Sequence, residues 1–221
     1  DDPTSRRDSE FIWTRQGFDN PPRIGVLSDK SGGDMPLANY ERAVRSIEQS
    51  GFPLIPKSLD NLDLYTEYHQ RVVKSEAATY HRAVLRGKDS TVAPETVAAL
   101  RSGMQISAME YLEAQTQREL LLQEFLDLVM NDVEALALPV SYEEAPIYHE
   151  NTSRDAEMIN QEFAKASIFT RFVNFLGLPA VSLPTGLGPS GLPTAVQLIA
   201  KPFEEATMLS IASEMESVFS R

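Results

Sequence analysis

An α/β fold, a mixed β-sheet flanked by helices, is the class this sequence predicts. Short apolar runs alternate with longer stretches of helical periodicity along the chain. The first such trio has the length of a β-α-β unit, and two late apolar runs form a strand pair joined through Gly186, Gly188, Pro189 and Gly191. Together, the β-α-β start and the late pair imply a sheet of mixed direction.

In chain order, residues 1–22 are polar and rich in Pro, Asp and Arg, and read as a linker or loop. Residues 23–221 follow as one folded unit. Arg23-Ile24-Gly25-Val26-Leu27-Ser28 is a short apolar run between Pro and Ser-Gly-Gly, hence a buried strand. Asn39 to Ser50 has Ala43, Val44 and Ile47 on one face and Gly51 at the place of a C-terminal cap, hence a helix. Phe52 to Ile55 is the next strand. Leu62 to Arg86 is expected to be mostly helix, stopped by Gly87. Pro94 suits a first helical turn, and the pattern stays helical from Glu95 to Met130 with a break at Gly103. Two stripes there predict core: Met104, Ala108, Tyr111 and Leu112, then Leu121, Leu122, Phe125, Leu128 and Val129. Val133 to Val140 is a strand leading into a loop, Ser141 to Arg154. Asp155 to Phe175 is a helix capped by Asp155 and closed by Gly177-Leu178-Pro179. Strands Ala180 to Leu183 and Ala195 to Ala200 follow. The last helix, about Glu204 to Phe219, carries Met208, Ile211, Ala212, Met215 and Phe219 on its apolar face.

Composition narrows the function. With 32 acidic and 20 basic residues the net charge is -12, a surface that repels phosphate backbones and anionic lipid. No nucleic acid is expected to bind directly, and no membrane. The absence of Cys excludes disulfide frameworks, thiolate nucleophiles and Cys-based zinc sites, and fits a reducing cytoplasm. No apolar run approaches the roughly 20 residues a membrane span needs. The amino terminus lacks an apolar h-region and an initiator Met, so the chain is expected to begin at a processed, cleaved or truncated point.

The residues alone offer little chemistry. His69 and His81 fall twelve apart on one expected helix and diverge by roughly 120°; with His149 they make no metal-binding spacing, so no metal or other cofactor is expected. No G-x-S-x-G elbow occurs. Lys30-Ser31-Gly32-Gly33-Asp34 imitates a Ser-Lys site or a phosphate nest, but adjacent side chains diverge, and it reads as a loop after the first strand. The carboxylate pairs Glu143-Glu144 and Glu204-Glu205 are adjacent rather than facing, and read as solvated surface.

A resemblance adds what these residues do not. Phe169-Thr170-Arg171-Phe172-Val173-Asn174-Phe175-Leu176-Gly177-Leu178-Pro179-Ala180-Val181-Ser182-Leu183-Pro184-Thr185-Gly186, followed by Ser190-Gly191-Leu192-Pro193-Thr194-Ala195-Val196-Gln197-Leu198-Ile199, resembles the carboxy-terminal signature of the amidase-signature serine hydrolases. Asp2-Pro3-Thr4-Ser5, Arg23 to Leu27, Tyr80-His81, Tyr111-Leu112-Glu113-Ala114 with Arg118, and Val133 to Pro139 with Ala145-Pro146 extend it over nearly the whole chain. The family includes amidases and subunits of glutamyl-tRNA amidotransferases.

The resemblance implies an amidase-signature-like fold present as a partial domain, and hydrolysis of a small-molecule carboxamide C–N bond through an acyl-enzyme. The family's machinery is a Ser nucleophile, a second Ser in a cis peptide bond, a Lys base kept neutral by burial, and a Gly-Ser loop for the oxyanion. No residue here matches any of these, so no catalytic residue is assigned and the chain alone is expected to be inactive. Its expected partner is a missing amino-terminal amidase half, or a second copy in a homo-oligomer. By resemblance the loop after Leu138-Pro139 and the segment around Thr170 lie over the acyl pocket. Tyr142, Thr170 and Val173 are therefore the candidate substrate-binding residues, with plain packing the alternative for each. Arg101 and Arg171 are read as surface ion-pair residues, with contact to an anionic substrate the alternative. A non-catalytic interaction module or subunit on the same fold is the competing reading.

Overall fold

The computed structural model describes residues 13–15, 17–28, 38–87, 92–142, 144–145 and 166–219. Five strands form one mixed sheet in the order β2-β1-β3-β5-β4. They are β1 (Ile24–Leu27), β2 (Leu54–Lys57), β3 (Ala135–Pro139), β4 (Ala180–Leu187) and β5 (Pro193–Ile199). Strand β1 is parallel to both β2 and β3, whereas β5 runs antiparallel to β3 and to β4. The helices are α1 (Ala38–Gln49), α2 (Leu62–Tyr80), α3 (Arg82–Leu85), α4 (Pro94–Gly103), α5 (Ala108–Leu128), α6 (Ile168–Leu176) and α7 (Glu205–Phe219). Helices α1 and α7 pack together against β5 and β4, while α2, α5 and α6 gather on the opposite face. The expected α/β class and mixed sheet are therefore what the chain adopts.

Central strands β1 and β3 are buried along their whole length, which is why they read as unbroken apolar runs. Strand β2 lies two residues later than expected. Its register is set by pairing with β1, Ile24 opposite Leu54 through Leu27 opposite Lys57. Pro56 is tolerated there because β2 is an edge strand. The β4–β5 ladder runs deeper into the expected linker, with a register shift between Pro184 and Gly186, whose φ of 99° suits glycine alone.

Among the helices, the long stretch after Leu62 breaks at His81, so His69 and His81 do not share one continuous helix. Helix α4 begins on Pro94 and ends at Gly103 as expected. Helix α5 restarts at a capping box, Ser107 accepting from the Glu110 N–H while Glu110 accepts from the Ser107 N–H. Of the two expected core stripes the first is corrected, since Met104, Ala108 and Leu112 are exposed, whereas in the second Leu121, Phe125 and Val129 are buried and only Leu128 is exposed. The buried line is Ala114, Leu121 and Phe125, because only that narrow face of α5 meets α2 and α6. Of the expected helix from Asp155, the part up to residue 165 lies outside the described residues; α6 itself closes on Gly177 in the left-handed conformation, φ 73°.

Beneath the sheet, Phe125, Phe169 and Phe172 are fully buried, and Phe172 meets Tyr65 and Phe125 with ring centroids 5.9 and 5.5 Å away. Burial and the nearby Glu124 push the Tyr65 phenol up to about 12. Helix α4 crosses α2 so closely at Gly103 that an added Cβ would lie 2.0 Å from the Lys74 carbonyl oxygen. Gly103→Ala should lower stability by about 1–3 kcal/mol, since backbone and not a movable side chain is in the way. An unchanged urea midpoint would refute that close approach.

Candidate active site

Strand β1 is where the chain changes direction across the sheet. From β1 it passes through α1 to β2 on one side, then returns through α2 to α5 to β3 on the other side. The carboxyl ends of β1 and β3 thus flank a topological switch point, the place where open α/β sheets hold ligands. There the β1–β3 ladder stops at Val26 opposite Ala137. The hydroxyl of Tyr40, from α1, takes over: it accepts from the Leu27 N–H at 2.8 Å and donates to the Ala137 carbonyl at 2.8 Å. Burial raises its pKa, so it remains a neutral donor and acceptor.

A second polar side chain reaches the end of β3 from β5. The buried amide of Gln197, on β5, donates to the Phe169 carbonyl at 2.8 Å and to the Pro139 carbonyl at 3.3 Å. This joins the end of β3 to the first turn of α6. Gln197→Leu removes both bonds inside the protein and should cost about 1–3 kcal/mol. A chemical-denaturation midpoint equal to wild type would refute the assignment.

Of the three candidate binding residues, Tyr142 follows β3 and packs its half-buried ring on Phe169, centroids 4.5 Å apart. Burial raises its pKa, and Asp63 at the start of α2 adds to the rise. Thr170 is next to Phe169 on α6, half-buried, its hydroxyl donating to the Ser167 carbonyl at 3.1 Å. Val173 is 5% exposed and belongs to the main core. The structure thus brings Tyr142 to the turn of α6 that carries Thr170, and sets Val173 one turn deeper. Glu144 accepts from the Ser190 N–H, tying the segment after Tyr142 to the β4–β5 turn.

The remaining candidates fall elsewhere. Arg171 is partly buried on α6, where burial lowers its pKa; beside it, burial first and the Arg171 charge second lower that of His69, favouring neutral imidazole. Arg101 is exposed near the end of α4, and no ion pair to it occurs among the described residues. The 30–34 loop, Glu143 and His149 lie outside the described residues. Among the described residues no group of three His, Asp or Glu could hold a metal ion, and no helix is long and apolar enough to cross a membrane. Sequence reasoning missed Tyr40 and the bridging role of Gln197. Tyr40 had a signal, its i, i+3, i+7 spacing with Ala43 and Ile47; Gln197 had only its isolation in an apolar strand.

Residues 1–209 match the family described as Amidase. The chain belongs to the amidase family. Over 132 residues it is 30% identical to a fatty acid amide hydrolase of Arabidopsis thaliana, an alignment covering 60% of this chain and 22% of that protein. Over 112 residues it is 38% identical to a glutamyl-tRNA(Gln) amidotransferase subunit of Azorhizobium caulinodans, covering 50% and 22%. Each alignment therefore spans well under two thirds of the relative's length. Among solved structures this amidase-family chain superposes on the crystal structure of an amidase with a TM-score of 0.75 at 24% identity, covering 92% of this chain and 47% of that one. For 6-aminohexanoate cyclic dimer hydrolase complexed with substrate the TM-score is 0.74 at 17% identity, covering 98% and 52%. These likenesses establish the amidase fold.

Proposed function

We propose that this chain is the scaffold and substrate-pocket part of an amidase that hydrolyses a carboxamide C–N bond through a Ser–cis-Ser–Lys acyl-enzyme mechanism. The Lys, both Ser and the oxyanion loop belong to an amino-terminal amidase segment outside this sequence. The observation that carries this reading is the family match over residues 1–209 in a chain that aligns with only 22% of its relatives. Residues 23–221 are the carboxy-terminal part of one amidase-signature-like domain, preceded by a linker or loop at 1–22. The pocket wall is built by Tyr142 and Thr170, with Val173 setting its depth, at the switch point bridged by Tyr40. A cytoplasmic setting fits a chain without cysteine.

Nucleophile, base and oxyanion donors supply most of the rate in acyl transfer. The purified chain should therefore show no turnover of a simple aryl amide. Turnover should appear when an amino-terminal amidase segment is supplied, and Tyr142→Ala should then raise KM more than it lowers kcat. Turnover by the chain alone, abolished by a serine-directed acylating reagent, overturns the proposal. The intact mass of the native polypeptide tests the segment directly.

A further inference from the structure

Away from the switch point, α5 leaves one face without a neighbour among the described residues. Met109, Leu112, Thr116 and Leu120 recur at i, i+3, i+7 and i+11, opposite the buried line of Ala114, Leu121 and Phe125. Met109 is 82% exposed, Leu112 62% and Leu120 60%, far beyond the single exposed leucine that needs no explanation. Beside the amino end of α5, Ala108 and Tyr111 line a groove of about 860 Å³ between α2, α3 and the α4–α5 turn. The groove is lined by apolar groups, among them Leu85, Met104, Ile106 and Ala108.

Charge is distributed unevenly along the same face. Arg82 and Arg86 line the groove, and neither guanidinium has a partner among the described residues. The other charge there, Glu76, already accepts from the Tyr111 hydroxyl at 2.9 Å. Toward the carboxyl end of α5 the exposed charges are acidic: Glu119, Glu124 and Asp127. Spaced one helical turn apart, Arg82 and Arg86 match carboxylates carried at similar spacing on another helix. The surface around α5 therefore carries a basic apolar groove beside its amino end and acidic residues with exposed Leu120 and Leu128 toward its carboxyl end.

We propose that this face binds a second copy of the chain, with the two α5 helices antiparallel about a two-fold axis near Thr116. That arrangement sets Leu112 of each copy against Leu120 of the other. It brings the acidic end of one α5, with Leu128, to the groove and arginines of its mate. Such an interface is self-complementary, as two-fold association requires. The small side chain of Thr116 lets the helices approach at the axis, and the arginine–carboxylate contacts overcome the repulsion between two acidic chains.

Sedimentation velocity of the full chain over a range of concentrations tests this. A monomer–dimer equilibrium is expected, weakened by added salt. Leu112→Glu should weaken dimerisation by about tenfold or more, since symmetry introduces the charge twice. Arg86→Glu should weaken it similarly, and Arg86→Glu combined with Asp127→Arg should restore it. All three positions are exposed, so thermal melts equal to wild type verify folding. A chain that stays monomeric throughout, as it would if another segment of the amidase polypeptide covered this face, overturns the proposal. So does a dimer indifferent to both Leu112→Glu and Arg86→Glu.

Discussion

Phe172→Ala should destabilise the chain by about 3–5 kcal/mol, the largest effect expected of a single side chain here. Phe172 is fully buried and sits between Tyr65 of α2 and Phe125 of α5. It is therefore the side chain through which three helices share one contact. Truncation removes its apolar surface from the core and leaves a void that Tyr65 cannot fill without giving up its own packing. Phe172→Leu retains most of the volume and should cost less than half as much. Urea midpoints for the two variants check this ordering. Equal midpoints would mean that the core closes around the void and that the three helices do not depend on this ring.

Tyr40→Phe should cost about 2–4 kcal/mol while changing a single oxygen. The ring's burial is retained, so the loss is polar. The Leu27 N–H and the Ala137 carbonyl are both left in an apolar interior where the ladder between β1 and β3 has already ended. An unpaired buried donor or acceptor costs far more than an average hydrogen bond contributes. The effect should also be local: amide exchange at Leu27 should accelerate more than at Ile24, at the other end of the same strand. Uniform acceleration along β1 would show that the hydroxyl contributes to general stability and does not clasp the strands at the switch point.

Local features carried much of the fold into the sequence. Gly51, Gly87 and Gly177 end helices with positive φ, as their positions after periodic segments imply. Pro94 opens α4, and the unbroken apolar runs at Ile24 and Ala135 are strands buried on both faces. Where the reading slipped, a distant partner had decided. Periodicity gave two apolar stripes, and the first, through Met104, Ala108, Tyr111 and Leu112, is largely exposed, because a helix with leucines on several faces has more than one candidate stripe. The neighbours α2 and α6 bury Leu121 and Phe125 of the second stripe and add Ala114. Strand β2 shifted for a similar reason, since Phe52 to Ile55 is as good a local strand as Leu54 to Lys57 until pairing with β1 sets the register.

The site divides along the same line. The family was legible because the Asn174 to Gln197 segment is a specific motif, and the absence of a matching Lys or Gly-Ser loop could be read directly. Its construction was not. Tyr40 and Ala137 are 97 residues apart, and Gln197 and Phe169 are 28 apart. Backbone groups at the end of a strand have no side-chain pattern to announce that they need a partner. By itself the sequence determined the element types, the mixed α/β class and the family, since these rest on local periodicity, capping and contiguous motif. Only the tertiary structure decided the strand register, the buried face of α5 and the hydroxyl that bridges β1 and β3. Those choices depend on which distant groups satisfy one another's burial and hydrogen bonds.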